Sequence, residues 1–187
     1  MLQQGENGMY FAEPGRKNTA ETVACALRAA RERGIRNIVA ASGTGATAMA
    51  LAGFDGNLVC VTSVNGFSEK GRNDLPDEVR ARLQAAGVKV LTGTHALSGV
   101  ERGISNMSGG MYPAEIMAHT LRMFGQGTKV CVEIAVMALD AGLVPYGEEI
   151  VAVGGTGRGA DTALLLTPAH AADIFKFRIH EVLCKPR

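Results

Sequence analysis

Residues 38 to 48 read IVAASGTGATA: an apolar run, then Ser42-Gly43-Thr44-Gly45, then small helix-forming residues. A strand that breaks into glycines and hydroxyls and restarts as a helix is a common way to build a phosphate seat. The first amides of the helix have no partner within it, and the peptide dipole favours an anion there. A tight turn without a ligand has the same local pattern, so the flanking elements must decide.

Those elements alternate between helix and strand. Asn18-Thr19-Ala20-Glu21 has the spacing of a capping box, and an alanine-rich amphipathic helix runs from there to Arg33, stopped by Gly34. Ile38 to Ala41 reads as a strand and Ala46 to Leu51 as a helix. Leu58 to Thr62 is a second strand, Pro76 to Ala86 a helix closed by Gly87, and Val88 to Leu91 a third strand. Continuous apolar strands separated by helices predict a parallel sheet covered on both faces.

In the second half, a polar passage from Thr92 to Gly110 holds a short helix at about Val100 to Ser105, and Pro113 to Phe124 reads as another helix. Lys129 to Asp140 has the composition of a strand, but its length and Gly142 favour a helix. Glu149 to Val153 and Thr162 to Thr167 are strands joined by a loop too short for a parallel crossover, so they pair antiparallel. This places a reversed strand at one edge of a mostly parallel sheet. Phe175 to Cys184 reads as the last strand. The expected architecture is α/β, three layers in the order α/β/α, in one domain over residues 1–187.

Composition narrows the function. With 47% hydrophobic and 20% charged residues the chain is globular rather than disordered. A net charge of +1, no tryptophan and few aromatics argue against nucleic acid and anionic membranes as partners. Cys25, Cys60, Cys131 and Cys184 form no Cys-x-x-Cys pair and read as buried reduced thiols, and no metal site is suggested. MLQQGENGMYF lacks the features of a secretory leader, and Val130 to Val144 carries Glu133 and Asp140 and is too short to span a bilayer. A cytoplasmic location is expected.

Gly43-x-Gly45-x-x-Ala48 formally satisfies a dinucleotide fingerprint, yet the next strand ends Thr62-Ser63-Val64-Asn65-Gly66, without the acid that would hold a ribose. No G-x-x-x-x-G-K-[ST] occurs, which excludes a P-loop. A seat for one phosphate remains, made by the amides of Gly43, Thr44, Gly45, Ala46 and Thr47 and the hydroxyls of Ser42, Thr44 and Thr47.

Three further stretches belong beside it if they share a sheet edge. VGGTGRGADT, Val153 to Thr162, is a mobile glycine loop in which Gly155, Arg158, Gly159 and Asp161 would close over an anion, or a hairpin with a solvated arginine. Gly93 to Ser105 follows the third parallel strand and brings Thr94, His95, Leu97, Ser98 and Arg102 to the carboxyl edge, where such sheets bind ligands. There Arg102 also has Glu101 as a surface partner. Asn65-Gly66-Phe67 is a turn after Thr62 whose ring could cover a flat ligand. Glu133, inside an apolar helix, needs an arginine or a polar ligand group. No nucleophile–base pair is evident, so an acyl- or group-transfer role for His95 is the least supported use of that residue.

The stretches NTAETV (18–23), GIRNIVAASGTGATA (34–48) and GEEIVAVGGTGRGADT (147–162) together resemble the C-terminal α/β domain of pyruvate kinase. The resemblance is closest to stand-alone proteins that carry only this domain. Their distinctive stretches are matched by Pro14 to Thr19, Leu97 to Arg102, Val130 to Ile134 and Arg158 to Thr162. The resemblance implies the fold and no kinase activity, because the catalytic barrel is missing from the matched region. In the full enzymes the turn matching Ser42 to Thr47 and the loop matching Gly154 to Asp161 hold an allosteric sugar phosphate. The stand-alone proteins are associated with flavin mononucleotide (FMN). The expectation is therefore a small phosphorylated ligand, with FMN as the cofactor. The alternative is a non-catalytic module that senses a sugar phosphate and signals through a partner or its own homo-oligomer.

Overall fold

The computed structural model describes residues 8–187. Part of the leader expectation, on residues 1–7, lies outside them. Seven strands form one sheet in the order β1-β7-β6-β5-β2-β3-β4. They are β1 (Met9–Phe11), β2 (Asn37–Ala41), β3 (Asn57–Val61), β4 (Lys89–Leu91), β5 (Ile150–Gly154), β6 (Thr162–Thr167) and β7 (Arg178–Pro186). The helices are α1 (Thr19–Arg33), α2 (Ala46–Leu51), α3 (Asp77–Ala85), α4 (Gly99–Ser108), α5 (Pro113–Arg122) and α6 (Gln126–Asp140).

β2 pairs parallel with β3 and β5, and β3 with β4. β6 runs antiparallel to β5, as its short loop requires. The reversed strand is not at an edge, however. β7 pairs antiparallel with β6, and β1 pairs parallel with β7, so two more strands extend the sheet past it. The last strand, expected over 175–184, runs from Arg178 to Pro186, because Ala171–Lys176 forms a 3-10 turn before it. The three-residue β1 is too short to carry a periodic signal and was not expected.

Each face of the sheet carries its own core. Val23, Ala26 and Ala30 of α1, Leu51 of α2 and Leu83 of α3 pack on Ile38, Cys60, Val151 and Leu165. On the other face Ile134, Ala135 and Ala138 of α6 pack on Val39, Val59, Ile150 and Leu164. Alternate residues of each strand thus face opposite cores, which is why the strands show no polar alternation. All four cysteines are buried and free.

Local differences have simple causes. Asn18 does not cap α1: its side-chain Nδ2 donates to the Glu13 carbonyl at 2.8 Å, and a 3-10 turn over Arg16–Asn18 feeds the helix. Gly34 ends α1 in the left-handed region, as read. α6 is helical and starts three residues earlier than expected, while α4 is longer, because polar residues set no apolar boundary for it. Among the described residues no helix is long and apolar enough to cross a membrane.

Candidate functional site

The carboxyl ends of β2, β3, β4 and β5 all point to one side of the sheet, and the loops leaving them surround a cleft of about 1370 Å³. Its second wall is α6, whose Gln126, Lys129, Val130, Glu133, Ile134 and Met137 form one stripe at helical spacing. α4 adds a rim through Gly99, Val100 and Arg102.

The β2 turn supplies Ser42, Gly43, Thr44, Ala46 and Thr47 to the lining. Ser42 is itself a cap. Its hydroxyl oxygen accepts the Thr47 amide at 3.1 Å and the Ala48 amide at 3.3 Å. The Gly45 amide donates to the Ser42 carbonyl at 3.3 Å. The amides of Gly43, Thr44 and Ala46 have no protein acceptor among the described residues. The seat is therefore narrower than the sequence implied, with three donors rather than five. Gly45 does not line the cleft: it has φ of 84°, and a Cβ there would run into Val79 and Leu75. Its glycine serves the packing of α2 against α3.

The β3 loop brings Thr62, Gly66 and Phe67, with Ser63 and Asn65 between them. Asn73, absent from the sequence reading, holds this loop by donating to the Ser63 carbonyl and the Asn65 side chain, each at 2.9 Å. The Thr62 hydroxyl is 2.7 Å from that of Thr92, so it ties two loops together. Phe67 is exposed, and its ring centroid lies 5.6 Å from that of His95, tilted by 46°.

From the β4 loop, Thr94, His95 and Ser98 line the cleft; Leu97 does not. Leu97 is buried, and its amide donates to Glu133 Oε1 at 3.0 Å. Glu133 Oε2 forms an ion pair with Lys129, one helical turn earlier. The ion-pair partner of the buried carboxylate is thus not an arginine but a lysine four residues away, a pairing legible in the sequence as an i,i+4 contact. Burial pushes the Lys129 ammonium down from its usual range, against the pull of Glu133. Burial likewise pushes the His95 imidazole below 6.5, opposed by Glu133 and aided by Lys129. His95 is then neutral at pH 7, consistent with its Nε2 accepting the Val64 amide at 3.4 Å. Arg102 is bound to Glu115 of α5 at 3.0 Å, not to Glu101, which instead accepts the Glu115 amide.

The β5–β6 loop differs most from expectation. Gly155, Arg158 and Gly159 line the cleft, but Asp161 is fully buried outside it. Asp161 accepts the Gly15 amide at 2.9 Å, the Thr156 amide at 3.2 Å and the Thr162 hydroxyl at 2.8 Å. The Ala160 amide donates to Thr19 at 3.0 Å, and Gly159, with φ of 77°, sits against Arg16. The loop is pinned to the start of α1 and presents its glycine backbone and the Arg158 side chain to the cleft. Gly155 and Gly159 permit close approach of the loop to its own backbone and to the start of α1.

Lys70, Arg122, Gln126 and Lys129 also line the cleft and were missed. Five cations (Lys70, Arg102, Arg122, Lys129, Arg158) face two carboxylates, Asp74 and Glu133. A net charge of +1 for the chain conceals this surplus. Among the described residues no cluster of three or more His, Cys, Asp or Glu could hold a metal ion.

Comparison with known proteins bears on the fold. The solved structures similar to this chain include a pyruvate kinase from Cryptosporidium parvum, at 15% identity and a TM-score of 0.43. The match covers 81% of this chain and 23% of that one, so the chain spans under a quarter of that enzyme's length. The family model described as pyruvate kinase, alpha/beta domain, matches residues 20–166, from the second residue of α1 to the penultimate residue of β6. The chain belongs to the pyruvate kinase alpha/beta domain family.

Proposed function

We propose that the cleft binds a phosphorylated small molecule, with FMN as the ligand the resemblance implies. One observation carries this reading: three amides without protein acceptors, at Gly43, Thr44 and Ala46, open into the same cleft as a surplus of cationic side chains. Amides at a helix start that open to the cleft without a protein acceptor are available to an anion, and an oxyanion accepts from several at once.

The residues fit such a ligand. The volume suffices for a nucleotide-sized molecule, whose sites commonly occupy about 300–1000 Å³. Val64, Phe67, Val130 and Ile134 offer apolar surface to a flat ring, and Thr44, Ser63 and Ser98 offer hydroxyls to a polyol chain. A bound flavin supplies electron-transfer chemistry through its ring. What this chain contributes is orientation and charge: the β2 turn holds the phosphate, Arg158 adds a cation beside it, and neutral His95 with Phe67 flanks the ring. Kinase activity is not part of the proposal.

The test is direct. The purified protein is examined for visible flavin absorption and titrated with FMN and with riboflavin. FMN at roughly 100 times its Kd should raise stability by about 2.7 kcal/mol. Riboflavin, lacking the phosphate, should bind much more weakly. A colourless protein that takes up no FMN would overturn the flavin assignment. Stabilisation by a sugar bisphosphate but not by FMN would assign the cleft to a sugar-phosphate sensor.

A further inference from the structure

The cations of the cleft fall into two groups. Lys70 and Arg158 stand on the β3–α3 and β5–β6 loops, whereas Arg102, Arg122 and Lys129 come from α4, the end of α5 and α6. Within the second group the charges are unevenly matched. Lys129 is paired with Glu133 and Arg102 with Glu115. Arg122 has no carboxylate partner among the described residues. Its Nε donates to Gln126 Oε1 at 2.7 Å, a neutral acceptor that orients the guanidinium without cancelling its charge. The two terminal nitrogens of Arg122 make no hydrogen bond among the described residues and belong to a half-buried side chain lining the cleft. Both Arg122 and Arg102 add to the burial that depresses the Lys129 ammonium, which locates a positive potential at this wall.

We propose that Arg122, with Lys129 behind it, forms a second anion subsite that takes a carboxylate or phosphate group. A fixed guanidinium fork with both outer nitrogens unused matches a planar or tetrahedral oxyanion in two-point contact. The subsite shares the cleft but none of the residues of the phosphate seat at Gly43 to Ala46, so it stands independently of the FMN reading. Two sources would present the same chemistry: a separate anionic substrate beside the first ligand, or the far end of a single ligand with two anionic groups.

The experiment uses the full chain and oxalate as the oxyanion probe, followed by calorimetry with and without saturating FMN. Wild-type protein binds oxalate; Arg122→Gln weakens it roughly tenfold, the value of one charged hydrogen bond. Arg122→Lys, which keeps the charge and loses the fork, falls between them. FMN affinity falls far less than oxalate affinity in Arg122→Gln, and circular dichroism checks that the change at this partly exposed position leaves the fold intact. Oxalate that still binds FMN-loaded protein identifies a second molecule as the natural occupant. Oxalate displaced by a sugar bisphosphate but not by FMN, which has a single phosphate, identifies one ligand spanning both subsites. Either result supports the subsite, and displacement of oxalate by FMN itself overturns it. Oxalate that fails to bind wild type, that binds Arg122→Gln equally well, or whose loss is matched by an equal loss of FMN overturns it. If FMN does not bind and oxalate does so through Arg122, the flavin reading falls and the subsite remains.

Discussion

α6 and α4 line the same cleft and are held in opposite ways. Twelve of the 15 residues of α6 are buried, while α4 buries none of its ten. α6 lies against β2, β5 and β6 so closely that Gly127 faces Thr162 and Asp161 with no room for a Cβ. α4 is held mainly through Glu115, which takes Arg102 at 3.0 Å and the Ser105 hydroxyl at 3.0 Å. Val100 and Met107 of α4 are 80% and 83% exposed. One wall of the cleft is thus part of the core, and the other is attached through a few polar contacts. Local stability follows such differences in buried contact.

The comparison can be broken most decisively at Lys129. Lys129→Met leaves Glu133 buried without its cation and should cost about 3–5 kcal/mol in chemical denaturation. Lys129→Met with Glu133→Leu removes both charges and should recover most of that loss. A single variant as stable as wild type would mean that the pair is not buried as described. Gly127→Ala is next. Overpacking against β6 should cost about 2–3 kcal/mol, and little loss would show that α6 can move away from the sheet.

Glu115→Ala should cost less, about 1–2 kcal/mol, and act locally. Its signature is faster amide exchange in α4 with that of α6 unchanged; equal acceleration of both would erase the contrast. Val100→Ser and Met107→Ser should each change stability by less than about 0.5 kcal/mol, as surface substitutions do.

The smallest effect is in the pH profile. The His95 imidazole is depressed below 6.5 in the folded state, so at a pH just under 6.5 the unfolded chain binds more protons than the native one. Stability should therefore fall as pH drops from 6.5 through the folded value. His95→Gln should lose that part of the slope. A variant with the wild-type slope would place the titration elsewhere.

Much of this was legible locally. The Ser42-Gly43-Thr44-Gly45 turn between β2 and α2, the Gly34 stop and the forced antiparallel pairing of β5 and β6 follow from backbone rules acting over a few residues. The i,i+4 spacing of Lys129 and Glu133 is equally local, since it brings the two side chains together once the segment is helical. Asn73 and Arg122 carried no signal, since nothing in their neighbours tells which loop or cleft they will meet.

The sequence by itself determined the alternation of helix and strand, the two-faced burial of the central strands and the family, all properties of periodicity and local motif. Only the tertiary structure decided that β6 lies inside the sheet, that Asp161 is buried against Gly15 outside the cleft, and that five cations share one cleft. The reason is physical. Strand order, long-range hydrogen bonds and charge convergence depend on segments more than a hundred residues apart, such as Asp161 and Gly15, and no local rule couples them.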